Sequence, residues 1–174
     1  MKKLALAFLL FSLGAASAHA ATYLVLTVNA SDFTCTSTTL SGIKEGIALD
    51  SWSWGAMTPV TGSNGVSVSP SGLPALSVLS LTKTLDQCSA QLVNLSLKAQ
   101  VLATVTMTEY DTNTQGELAA SIVVTLDRAI LSSYQVSGAT GADPSEFLAF
   151  TFQKICLTTE GSSPTNVCYS AGAI

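Results

Sequence analysis

Runs of β-branched and aromatic residues, separated by stretches rich in glycine, serine and threonine, make up most of the chain. Thr22 to Val28 is the first such run. Ile43 to Trp54 is the second, interrupted by Gly46. Leu76 to Leu85 alternates loosely, with Leu76, Val78 and Ser80 on one side and Ser77, Leu79 and Leu81 on the other. That pattern fits a strand covered at least in part on both faces. Val101 to Tyr110 and Leu118 to Val136 are long and rich in Val, Ile, Thr and Tyr, and Phe147 to Thr158 closes the series. Asp111 to Gly116 reads as a hairpin connection. One segment departs from this period: Asp86 to Ala99 sets Leu92, Leu95 and Leu97 near helical spacing behind Asp86 as N-cap, which predicts a helix. Several strands, one helix and no βαβ alternation predict a mainly antiparallel barrel or sandwich.

The run Asp50-Ser51-Trp52-Ser53-Trp54-Gly55 holds the only two tryptophans. On a strand, positions i and i+2 share a face, so both indoles are expected to cover one side of a sheet. Core packing or anchoring of the next loop is the expected role of Trp52, Trp54 and Gly55. That loop, residues 55–72, carries Thr58-Pro59, Gly62, Asn64-Gly65, Pro70 and Gly72. A loop so long in a compact domain is either functional or mobile. Ser137 to Pro144 is a second loop, and the tail after Glu160 is Gly/Ser/Pro-rich until Asn166. No internal repeat and no shift of composition divides the chain, so residues 21–174 are expected to form one domain, with a tail at 160–174.

Residues 1–20 read as a signal peptide. Lys2 and Lys3 form a basic start, Leu4 to Leu13 is apolar and uncharged, and Ala18-His19-Ala20 is a small-x-small cleavage site. The apolar run is shorter than the roughly 20 residues that span a bilayer. The chain is therefore expected to be exported, to start at Ala21 and to have no membrane segment after cleavage. Seven basic residues in the whole chain become five, against eleven acidic ones, for a net charge of −6. Nucleic acid and anionic membrane both need basic clusters, so neither is expected as a partner. A surface with few charges and many hydroxyls suits a secreted β protein, or one that buries its surface in an assembly.

Cys35, Cys88, Cys156 and Cys168 are an even set in an exported chain, which suggests two disulfides. Three pairings are open. The favoured one is Cys156–Cys168, closing a C-terminal turn, with Cys35–Cys88 remaining. No C-x-x-C and no nearby histidine points to zinc. The single histidine, His19, leaves with the signal peptide, which removes Ser-His-Asp and Cys-His catalysis. There is no P-loop and no G-x-G-x-x-G. A carboxylate pair for glycoside hydrolysis stays open, with Asp50 first, beside indoles able to stack on sugars, and Glu109 and Glu117 after it. Glu109 and Asp111, two apart near a strand end, read as a solvated edge rather than a calcium site. A non-enzyme with no cofactor and no metal is expected.

The order of segments resembles the haemolysin-coregulated protein (Hcp) family, the tube subunits of type VI secretion systems. The resemblance runs from about Tyr23 to Thr158. It rests on Ile43-Lys44-Glu45-Gly46 followed by Asp50-x-Trp52-x-Trp54-Gly55, then on a long Gly/Ser loop. Leu79-Ser80-Leu81-Thr82-Lys83-Thr84-Leu85-Asp86 follows as a strand-to-helix step. After it come Ala103 to Tyr110, the stretch Ile122 to Tyr134, and Phe147-x-x-Phe150-x-Phe152 beyond a Gly-rich loop. The resemblance implies a small antiparallel β-barrel with one side helix. It also implies hexameric rings stacking into a tube whose lumen can hold a cargo or effector protein, with the 55–72 loop reaching a neighbouring subunit or ring.

The signal peptide and the four cysteines depart from that family, whose tubes are built in the cytoplasm. The expectation is therefore an exported, disulfide-bonded structural protein that self-assembles into rings, a tube or a filament, in the periplasm, at the cell surface or outside the cell. Two other readings stand beside it. One is a secretion-system tube or effector-carrier protein whose N-terminus is not a signal. The other is a monomeric secreted β-sandwich that binds carbohydrate or protein through Trp52 and Trp54.

Overall fold

The computed structural model describes residues 22–31, 33–43, 45–61, 69–112, 117–161 and 163–170. The expected signal peptide, the tip of the 55–72 loop at 62–68 and the hairpin turn at 113–116 lie outside the described residues.

A long hairpin organises the molecule. Strand β10 (Leu118–Ser137) runs for 20 residues. Antiparallel to it, along one edge, run β11 (Ser145–Thr151) and then β12 (Lys154–Thr159). The sequence shows Phe147 to Thr158 as one run, but the structure breaks it between Thr151 and Lys154. The break matches a bend in β10, where Arg128 takes a left-handed φ of 51°. Before the bend β10 pairs with β12 from Ile122 to Asp127; after it, with β11 from Ile130 onward. A left-handed non-glycine residue bends a strand and re-aims its pairing.

Each half of the hairpin carries its own sheet. On the first half, β9 (Leu102–Thr112) flanks β10, followed by β1 (Thr22–Asn29) and β2 (Ile47–Leu49). On the second half, β8 (Leu79–Thr84) flanks β11, followed by β3 (Ser51–Ser53). The hydrogen-bonded path thus runs β2-β1-β9-β10-β11-β8-β3. No ladder closes it, but its end strands are consecutive in the chain, joined at Asp50, whose N–H donates to the Thr82 carbonyl at 2.8 Å. The architecture is mainly β and antiparallel with one helix, and the sheet is open rather than a closed barrel.

The inward residues form one apolar core that includes Leu26, Ile47, Leu79, Leu81, Leu92, Met107, Val124, Leu126, Leu148 and Phe150. Helix α1 (Ser89–Lys98) covers it with Leu92 and Leu95. Two expectations change here. Leu97 points to solvent at 81% exposure. Asp86 is not the N-cap: that place belongs to Cys88, which makes no side-chain cap. Asp86 instead accepts the Cys88 N–H at 2.8 Å.

Three regions sit outside the core. The expected 55–72 loop is an arm with short ladders, in which β4 (Ala56–Met57) pairs with β7 (Ala75–Leu76) and β5 (Val60–Thr61) with β6 (Ser69–Pro70). The tail after Glu160 contains β13 (Thr165–Ser170), which pairs with β12. The irregular stretch between β1 and β2 folds back through Gly46, whose φ is +135°. A Cβ there would lie 2.3 Å from Val25 Cγ1, so only glycine fits.

Candidate functional site

The tryptophan run forms the root of the arm. Trp52 and Trp54 are both half-buried and pack against the core. Trp52 lies opposite Leu81 on β8, and its Nε1–H donates to Glu109 Oε2 at 3.1 Å. That bond ties β3, at one end of the sheet path, to β9 near its middle. Glu109 is thus the acceptor that lets an indole N–H be buried, rather than part of a solvated edge. Asp111 accepts from the Thr22 hydroxyl at 2.8 Å, and Asp50 from the Thr84 hydroxyl at 3.1 Å. The three carboxylates considered at strand ends therefore serve as hydrogen-bond acceptors within the sheet.

Gly55 opens the arm, and Ser77 closes it. The Ser77 backbone N–H donates to the Gly55 carbonyl at 2.9 Å, and the Gly55 N–H donates to Ser77 Oγ at 2.8 Å. Beyond this clasp the arm strands pair only with one another. Met57, Val60 and Leu73 are 72%, 59% and 86% exposed. No charged residue occurs between Asp50 and Lys83. The described part of the arm is thus an uncharged ribbon that presents three strongly exposed apolar side chains.

At the opposite end of β8 the polarity reverses. Lys83 is fully buried and lies opposite Glu146 on β11, itself buried. Their Nζ and Oε2 stand 2.5 Å apart. Lys83 Nζ also reaches Asp86 Oδ1 at 2.9 Å and the Thr84 carbonyl at 2.8 Å. The Tyr134 hydroxyl donates to the other Glu146 oxygen. Burial, then the Glu146 hydrogen bond and charge, push the Tyr134 phenol well above its ordinary range. For Asp86 burial acts upward, but hydrogen bonds from Ser37, Lys83 and the Cys88 N–H outweigh it and hold the carboxyl below its usual value. Lys83 meets two carboxylates, so it is a paired cation and not a base, and Ser89, 3.3 Å from Nζ, has no proton acceptor in it.

The cysteines are joined as Cys35–Cys88 and Cys156–Cys168. The first ties the stretch after β1 to the start of α1, beside bonds from Thr34 N–H to Gln91 and from Gln87 to the Thr36 carbonyl. The second joins directly opposed residues of β12 and β13. Among the described residues no group of three or more His, Cys, Asp or Glu side chains is placed to hold a metal ion. A cleft of about 410 Å³ beside Cys35 is lined by Thr27, Phe33, Thr36 and Glu45, the one carboxylate on its wall among the described residues.

Comparison with known proteins agrees with this picture. Residues 35–158 match the family described as "Type VI secretion system effector, Hcp". No curated protein matches the chain. Among solved structures, one described as a type six secretion system protein superposes with a TM-score of 0.74 at 22% identity, covering 86% of this chain and 96% of that one. An Hcp protein gives 0.74 at 19%, covering 86% and 99%. The secreted protein Hcp3 from Pseudomonas aeruginosa gives 0.64 at 17%, covering 89% and 100%.

Proposed function

The chain belongs to the Hcp family of type VI secretion system proteins, and from that premise we propose that it is an exported structural protein that self-assembles into rings. Six subunits per ring, stacked into a tube or filament outside the cytoplasm with room for a cargo protein, is the arrangement we infer. The family is one of structural tube proteins rather than enzymes, and Asp50 and Glu109, two of the three carboxylates considered for hydrolysis, accept hydrogen bonds from Thr84 and Trp52.

The observation that carries the proposal is the arm. An uncharged ribbon with three strongly exposed apolar residues is costly in a lone subunit and useful between subunits. Copies of an acidic chain repel one another, and an uncharged contact lets them meet without opposing like charges. A ring needs a head-to-tail contact whose rotation closes, and a projecting arm suits such a contact. Export is supported by the pairing of all four cysteines. Assembly inside the cytoplasm as a secretion-system tube or effector carrier is the second reading, favoured by the family match alone.

The test is the mass in solution and the negative-stain image of residues 21–174, purified from an oxidising compartment without reductant. Particles near six subunit masses, or tubes built of rings, are expected. A monomer at high concentration would overturn self-assembly.

A further inference from the structure

Strand β13 has one edge on β12, and no described strand pairs with the other. It is the longest strand at an end of the pairing network, six residues against three each for β2 and β3. Natural edge strands are blunted by charge, proline, a bulge or a cover. Thr165-Asn166-Val167-Cys168-Tyr169-Ser170 has no charge and no proline, and its register with β12 is unbroken. Nor is it held by burial: every residue but Tyr169 is exposed, Val167 to 63%. What pins it is the Cys156–Cys168 bridge, with Asn166 Nδ2 donating to Thr158 Oγ1 at 2.9 Å. A strand fixed covalently in register while burying little is a template for another strand.

The direction of its free groups follows from the ladder. Cys156 and Cys168 have Cα atoms 4.0 Å apart. That closeness marks a pair that exchanges no backbone hydrogen bonds. The N–H and C=O of Cys168 therefore point away from β12, as do those of Asn166 and Ser170, two residues either side. The open edge thus carries three outward residues, with Cys168 central.

We propose that this edge pairs with the same edge of a second copy, antiparallel and about a two-fold axis centred on Cys168. Asn166 of one copy then lies against Ser170 of the other, and the sheet carrying β13 continues across both. A second copy is the fitting occupant on two grounds. The edge is self-complementary, as a two-fold contact requires. Thr165–Ser170 carries no charged side chain, so two acidic chains meet along this strand without opposed side-chain carboxylates. The proposal deepens the assembly reading and rests on it for its consequence: a two-fold contact cannot close a ring, so it joins one ring or tube to another side by side.

The test uses the oxidised chain 21–174, Val167→Lys and Asn166→Pro. The lysine places a charge on the edge, and the proline removes one outward N–H and the Asn166–Thr158 side-chain bond while leaving the backbone ladder to β12 intact. Circular dichroism and intact mass check that fold and disulfides are retained. Expected are dimers, or paired rings, whose dissociation constant rises about tenfold or more in both variants. The amides of Asn166, Cys168 and Ser170 should exchange more slowly as wild-type concentration increases. Equal mass for all three proteins at every concentration, with edge amides equally fast throughout, would overturn the pairing even if single rings form. Dispersal of variant rings into single subunits would also overturn it, since β13 would then serve ring closure. Two-fold dimers without any ring would leave the pairing standing and remove the ring reading.

Discussion

The two ends of β8 carry opposite solutions to the same problem. Before its first residue runs the arm, apolar in part, uncharged and exposed. At its other end Lys83 is buried to 0% exposure against Glu146. Hydrophobic-inside, charged-outside would have reversed both. The difference lies in where partners come from. The charges find all of theirs within the chain, from β11, β10 and the start of α1, so they can leave water. In the arm Leu76 reaches the core, but Met57, Val60 and Leu73 keep their apolar atoms in water. Under the proposed assembly, inverted polarity separates what one chain completes from what it leaves for another.

The largest expected effect comes from breaking the closed side. Glu146→Ala takes from Lys83 its fully buried carboxylate partner, leaving it Asp86 and the Thr84 carbonyl, and takes from the Tyr134 hydroxyl its acceptor; it should destabilise the chain by about 3 kcal/mol in denaturant unfolding. Lys83→Met with Glu146→Leu removes both charges at similar volume and should cost far less, or nothing. If the double variant is as unstable as Glu146→Ala, pairing is not what makes burial tolerable.

A smaller effect should appear with pH. The Asp86 carboxyl is held below the ordinary value of 3.8, so the folded state prefers it ionised. Its contribution is complete above that ordinary value and is lost as pH falls through the folded one. The melting-temperature gap between wild type and Asp86→Asn should be widest near neutrality and narrow with acidification below about pH 4. A gap that widens in acid would contradict the hydrogen bonds assigned to Asp86.

The smallest effect on stability belongs to the arm. Met57→Ser with Leu73→Ser should change unfolding of the separated subunit by no more than about 0.5 kcal/mol, because neither residue has a core neighbour to lose. The same pair should weaken assembly in the sedimentation profile. Loss of monomer stability by several times that amount would place the arm on the closed side of the comparison.

Much of the fold was legible because strands of Val, Ile and Thr announce themselves locally. Thr22 to Val28, Val101 to Tyr110 and Leu118 to Val136 emerge within two residues of their observed ends. The Lys83–Glu146 pair was not legible. Its residues are 63 apart, and only the β8–β11 register sets them opposite. In the sequence Lys83 reads as a polar position on a loosely alternating strand. The arm ladders were hidden by length, since two-residue strands cannot show a period among Pro, Gly and Ser. Strand β13 was hidden for a related reason: Asn166 and Ser170 are turn residues, and its partner strand had been merged into one run with β11. Leu97 misled because helical spacing tells which residues share a stripe only approximately, and the 100° step puts it outside the Leu92–Leu95 face.

Strand β10 passes through both sheets without a break, bending once at Arg128. Neither sheet can then melt by itself, because parting β10 from β9 and β12 loosens the same strand that holds β11. Pulling on one end of that strand would load both halves together. In the stacked ring proposed above, a subunit built this way would take load through both sheets at once.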